Sequence, residues 1–196
     1  MKLKNTDYDE APVREHVVAL ARRWGRSALD VGTGACACMA LALAAGGLRV
    51  TAVDVASGAL RIAQESIAGE LGDRIEFRYD DAAHSRLATG SYPVVVAFDF
   101  LCHAARPDAV LSEMFRVCSQ TGVMIIVELN TAGRELTRHL DGGFEKMLPD
   151  LLAQHCGHCD RFTHPYHVVW LCALSRESDA AFGSGHSGMD QMEAIW

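Results

Sequence analysis

Residues 28–36 read ALDVGTGAC, an apolar strand that closes on an acid, Asp30, and runs into a glycine-rich turn. A helical apolar run, Cys36 to Ala45, follows directly. Gly32 and Gly34 let the backbone fold tightly and approach a ligand where a Cβ would collide. The free N–H groups and positive dipole end of the helix behind them suit a carboxylate or a phosphate. Leu48–Asp54 (LRVTAVD) reads as a second buried strand, and its terminal acid falls 22 residues after Gly32. That is close to the spacing of about 20 residues expected for an acid that holds a ribose hydroxyl pair. The start of the chain therefore describes a site for a nucleotide-type cofactor.

Asp30 separates two classes of such cofactor. Gly32-x-Gly34-x-x-Ala37 also fits the dinucleotide fingerprint GxGxxG/A. A dinucleotide, however, brings a doubly charged pyrophosphate to this turn, and a carboxylate two residues before the first glycine repels it. A cofactor with an amino-acid end fits better, since its ammonium wants a carboxylate and its carboxylate wants the helix N-terminus. Asp30-Val31-Gly32-Thr33-Gly34 resembles motif I of the class I S-adenosylmethionine (SAM) dependent methyltransferases, and Asp54 resembles their ribose-binding acid. The chain departs from that family at Cys36, where a third glycine is common; cysteine is small enough to stand there.

Strand and helix signals alternate along the rest of the chain, as a parallel sheet covered on both faces requires. Pro12 to Trp24 carries a helical apolar stripe closed by Gly25, and Ser57–Leu71 a second one closed by Gly72. Ile75–Tyr79, Pro93–Phe98 and Gly122–Glu128 read as strands, and Pro107 opens a helix that runs to Val117. Arg134 to His155 is expected to be helical, broken near Gly142-Gly143 and Pro149. Arg161–His164 and Tyr166–Ser175 read as two strands joined at Pro165. The order resembles the methyltransferase sheet over nearly the whole chain. It implies a Rossmann-like, doubly wound seven-stranded α/β sheet with a C-terminal antiparallel hairpin. Residues 1–176 are expected to form that domain, and 177–196, rich in Ser, Gly and Asp, a mobile tail.

Composition narrows the partners. The 196 residues are 49% hydrophobic, enough for one core, and no apolar run reaches the roughly 20 residues that span a bilayer. The N-terminus, MKLKNTDYDE, has no apolar signal region, so the seven cysteines read as reduced, cytoplasmic thiols. A net charge of −7 without a basic patch argues against nucleic acid as a partner. A small-molecule substrate remains, with no membrane role; a homodimer is compatible with the sequence.

The family resemblance implies cofactor contacts at Asp30, Gly32, Thr33, Gly34, Asp54, Val55, Asp81, Ala82 and Phe98. Asp81-Ala82 follows the third strand, where the family meets adenine, and Asp80 could take the role instead. Tyr92-Pro93 departs from the pattern, where an aromatic is usually followed by Asp; proline can begin a strand without losing a ladder bond. Asp99 and His103, after the fourth strand, are the candidate bases, since methyl transfer needs a nucleophile held in line and, where required, a proton acceptor. Each also has a structural reading, Asp99 as a cap of the next turn and His103 as a packing residue. Glu128 and Asn130 at the end of the fifth strand face the same choice.

His155-Cys156-Gly157-His158-Cys159, followed by His164 and His167, supplies the ligand types zinc prefers. The spacing is not that of a zinc finger, because only four residues separate Cys159 from His164. The expectation is that no metal is bound there. The reading is thus a SAM-dependent methyltransferase acting on a small molecule by in-line displacement. The alternatives are an NAD(P)-dependent reductase of Rossmann type and a non-catalytic SAM-binding regulatory protein.

Overall fold

The computed structural model describes residues 8–67, 69–139, 144–156 and 158–173. Seven strands, β1 (Ser27–Val31), β2 (Arg49–Asp54), β3 (Ile75–Tyr79), β4 (Tyr92–Phe98), β5 (Cys118–Leu129), β6 (His158–Thr163) and β7 (His167–Ala173), form one sheet in the order β3-β2-β1-β4-β5-β7-β6. β1 to β5 are parallel, and β7 inserts antiparallel between β5 and β6. This is the doubly wound sheet with a terminal hairpin that the sequence predicts. The expected tail, 177–196, lies outside the described residues. No described helix is long and apolar enough to cross a membrane.

The sheet is stable because its central strands are apolar on both faces, as a parallel sheet covered twice demands. Val94, Val95, Val96 and Ala97 of β4 are all fully buried. Alternation sends Val94 and Val96 into one layer, with Val17 and Leu20 of α1 (Ala11–Trp24), Met39 and Leu43 of α2 (Cys38–Ala45) and Ala63 of α3 (Ser57–Ser66). Val95 and Ala97 enter the other layer, with Leu111 and Met114 of α4 (Pro107–Val117) and Leu148 and Leu152 of α6 (Phe144–Ala153). Each such valine, leucine or methionine side chain contributes on the order of 1.5–3 kcal/mol on burial.

Several element boundaries differ from expectation. The helix expected over 57–71 ends at Ser66, and a 3-10 turn, Gly69–Arg74, leads into β3 instead. The second helix begins at Cys38 rather than Cys36, because the glycine turn continues to Ala37 in a left-handed conformation (φ 42°). Pro149 does not break its helix: α6 runs through it, giving up the one N–H that a proline lacks. A separate short helix, α5 (Thr131–Thr137), starts three residues before the expected Arg134, capped by the Asn130 side chain, which accepts from the Gly133 N–H at 2.9 Å.

The joint between β1 and α2 is held by Asp30. Its carboxylate accepts the Thr33 hydroxyl at 2.9 Å and the backbone N–H of Ala40 in the first turn of α2. One acid on the strand therefore fixes the turn and caps the helix that follows it. Burial pushes this carboxyl up to about 7, from an ordinary value of 3.8; the Asp54 charge adds to the rise and the two hydrogen bonds oppose it. Between those values the folded chain keeps a proton that the unfolded chain has lost. The stabilising contribution of this group is present in full below about 3.8 and is lost as the pH rises through about 7. The melting temperature of the cofactor-free protein should accordingly carry a component that falls across this window and disappears in Asp30→Asn. A pH slope that the substitution leaves unchanged would reject the assignment.

Candidate functional site

Strand order reverses between β1 and β4, so their C-terminal ends open a crevice at the topological switch point. The glycine turn forms one wall. Gly32 and Thr33 donate their N–H groups to the Val53 carbonyl at 2.9 and 3.2 Å, tying the turn to β2. Gly32 and Gly34 both have positive φ, 76° and 65°, which glycine alone adopts without strain. A Cβ on Gly32 would stand 2.1 Å from the Phe100 ring, whereas one on Gly34 would meet nothing within 4 Å. The turn is thus packed on one side and open on the other.

Asp54 ends β2 beside this opening. One carboxylate oxygen accepts the Gly34 N–H and the other the Ala56 N–H, both at 2.8 Å. A carboxylate has about four acceptor positions, so two remain for a pair of ribose hydroxyls. Val55 follows with 62% of its surface exposed, an apolar side chain in the open next to the acid. After β3 the two neighbouring acids divide. Asp80 is buried, its oxygens taken by the N–H groups of Asp81 and Arg86 at 3.0 Å. Asp81 is exposed and commits one oxygen to the Ala83 N–H, with half-buried Ala82 between them. Thr33 is buried, with its hydroxyl engaged by Asp30. The donor set suits a nucleoside: an acid with spare lone pairs, an open glycine floor and a second exposed carboxylate.

At the end of β4, Phe98 leads into Asp99, a non-glycine residue with φ of 47°. That conformation is uncommon for aspartate, and it is fixed by the Asp99 N–H bonding the Val127 carbonyl of β5 at 2.8 Å. Asp99 Oδ2 lies 3.1 Å from Nε2 of His167, whose side chain is 2% exposed. Asp99 Oδ1 is buried and has no partner among the described residues. Tyr8 places its hydroxyl 3.5 Å from the same His167 nitrogen and donates to Glu10 at 2.9 Å. The Phe98 ring packs on His167 with centroids 5.5 Å apart. Neither His167 nor Tyr8 is singled out as a partner of Asp99 by the sequence. His167 could have been found, because a terminal strand that enters antiparallel begins where the parallel strands end; Tyr8 leaves no such signal.

His103 sits apart from that pair. It is exposed on a 3-10 turn, Leu101–His103, and its ring meets His139 edge-on with centroids 4.7 Å apart. Glu128 lies beneath the turn and accepts the Leu101 N–H at 2.9 Å. Burial pushes its carboxyl up to about 8, and the Asp99 charge adds to the rise. Asn130 has a structural task besides its cap, donating to the carbonyls of His164 and Pro165 in the hairpin turn. The histidine and cysteine run disperses. His155 stacks on Phe115, His158 pairs with Asp160, and His164 bonds His16 at 2.8 Å. Burial, with His16 and His167 nearby, pushes His164 down to about 4. Cys156 and Cys159 stay together, joined by Cys172 of β7.

Comparison with known proteins agrees with this geometry. The family model of the methyltransferase domain matches residues 29–126, half of the chain and the span from β1 to β5. The methyltransferase GfsG of Streptomyces halstedii is 30% identical over 110 residues, which are 56% of this chain and 40% of that protein. The chain thus spans about two-fifths of the curated relative that it matches. Among solved structures, an assigned SAM-dependent methyltransferase of Methanococcus maripaludis superposes with a TM-score of 0.69 at 15% identity, covering 89% of this chain and 97% of that one. Magnesium protoporphyrin IX methyltransferase of Synechocystis, solved with bound SAH, superposes with a TM-score of 0.61 at 19% identity, covering 84% and 83%. The match over the glycine turn, the two acids and the switch-point strands means that the chain belongs to the methyltransferase-domain family, and it shares its fold with solved SAM-dependent methyltransferases.

Proposed function

We propose that this protein methylates a small-molecule nucleophile, with Asp99 as the group that receives the acceptor's proton. The observation that carries the reading is the buried, unpartnered oxygen of Asp99 at the switch point. A carboxylate oxygen left without a hydrogen bond inside a protein is costly, and it persists where a ligand completes it. When bound, SAM supplies an electrophilic methyl group that a nucleophile takes by in-line displacement. Asp54 holds the ribose, Asp81 and Ala82 border the adenine, and the open side of Gly34 admits the amino-acid end. Asp99 Oδ1 accepts a hydrogen bond from the acceptor's O–H or N–H and takes its proton as the new bond forms. His167 donates to Oδ2, which keeps the carboxylate turned toward the crevice. The net charge of −7 favours small acceptors over polyanions. The seven free cysteines suit a reducing, cytoplasmic setting.

Calorimetric titration separates this reading from its rivals. SAM and its demethylated product should bind, and NAD should not. Asp54→Ala should weaken SAM binding by about 2–4 kcal/mol, because two hydrogen bonds to a charged acceptor are lost. Binding of NAD without a response to SAM overturns the methyltransferase reading.

Asp99 is tested with a panel of phenol, carboxylate, amine and thiol acceptors, followed through release of demethylated cofactor. For any acceptor that turns over, Asp99→Asn should lower turnover by about 10²–10⁴ and leave SAM affinity unchanged. His167→Gln should cost less, through misorientation of the carboxylate. Undiminished turnover in Asp99→Asn removes it as the base.

A further inference from the structure

We propose that Cys102, His103 and His139 form a three-ligand site for a divalent transition metal of the zinc class, at the mouth of the crevice and open to the methyl acceptor. Their ligand atoms all lie within 4.8 Å of one another. Two loops bring them together. The 3-10 turn after β4 carries Cys102 and His103 and is closed by the His103 N–H bonding the Phe100 carbonyl at 2.9 Å. His139 follows α5, which ends on Arg138 in a left-handed conformation (φ 56°), with the His139 N–H returning to the Arg134 carbonyl at 3.0 Å. That pattern of helix ending fixes where the next side chain stands. Neither loop depends on a metal for its own hydrogen bonds, so the ligands are arranged in advance.

The distances select this cluster over the other. With metal–sulfur and metal–nitrogen bonds of about 2.3 and 2.0 Å, a tetrahedral site separates sulfur from nitrogen by about 3.5 Å. Cys102 Sγ and His139 Nε2 stand 3.6 Å apart. The same geometry separates two sulfurs by about 3.8 Å. Cys159 and Cys172, in the thiol cluster at the opposite end of the sheet, approach to 2.7 Å, too close for two ligands of one ion. One thiolate and two imidazoles leave a fourth position free, as catalytic rather than structural zinc sites do. Glu128 accepts the Leu101 N–H at 2.9 Å and so holds in place the turn that carries Cys102 and His103. Metal binding releases the Cys102 thiol proton to solvent. A hydroxyl or thiol of the acceptor then fills the open position, and the metal lowers its affinity for the proton, which passes to Asp99 as the acceptor takes the methyl group. This role rests on the methyltransferase reading; metal binding itself does not.

The test uses the full chain, reduced, stripped with a chelator and titrated with cobalt(II), whose bonds to thiolates give a charge-transfer band in the near ultraviolet. A band that saturates at one equivalent is expected in the parent and in Cys156→Ser, and its loss in Cys102→Ser. His103→Ala alters an exposed side chain and so spares the core; it should weaken cobalt binding while the melting temperature of the metal-free protein stays that of the parent. A band that needs Cys102 and not Cys156 supports the site, and any other pattern, including no band, overturns it. SAM titration of the metal-free chain is read separately: failure to bind SAM counts against the methyltransferase reading and leaves the cobalt pattern to decide the metal site.

Discussion

The buried carboxylate of Asp30 is the constraint on which the rest of this structure depends. It stands at the end of β1, between the glycine turn and α2, and bonds to both. Without it, the Thr33 hydroxyl would keep only its longer bond to the Asp30 carbonyl, at 3.2 Å, and an N–H group in the first turn of α2 would lose its partner, at roughly 1–3 kcal/mol. The turn would then be free to close over the space beside Gly34. An acid so deeply buried is a poor contact for a ligand in this conformation and a good anchor for the loop that makes the contacts. Its reach is geometric: it fixes the glycine turn, and Gly34 of that turn bonds Asp54.

The second constraint is topological. Because the chain leaves β3 at one edge and returns to the centre as β4, two neighbouring parallel strands send their loops in opposite directions. Full burial of β4 on both faces pins that strand, and the loop after it inherits the rigidity. Asp99 can therefore hold a left-handed backbone that an exposed loop would relax. The apolar core in this way keeps a strained residue in place at the edge of the crevice.

Polar groups from distant parts of the chain then converge on the crevice. Tyr8 precedes α1, Asp99 follows β4, and His167 opens β7, yet they share one network. Cys102 and His139 arrive from the loops after β4 and β5. Both assemblies require β7 or α5 to pack at the ends of the parallel strands, where a simple βαβ unit would leave open solvent. The terminal hairpin therefore does more than finish the sheet: it furnishes the group that orients Asp99.

Local sequence determined the elements whose physics is local. The ALDVGTGAC turn, the acid 22 residues beyond its first glycine and the apolar strands carry their own signals, since glycine conformations and strand periodicity depend on near neighbours. The fold was legible for that reason, and the proposed cofactor site is built on the same turn and acid. An amphipathic stripe over 57–71 does not reveal where a 3-10 turn intervenes, and Pro149 stands inside a helix that tolerates the loss of one bond. Tertiary structure alone decided which side chains meet. Asp99 meets His167 across 68 residues, and His103 meets His139 across 36, because hydrogen bonds and ring contacts between distant residues follow from packing and leave no periodicity in the chain. The same holds for the histidine and cysteine run, which looks like one cluster on paper and is divided by the alternating faces of two strands.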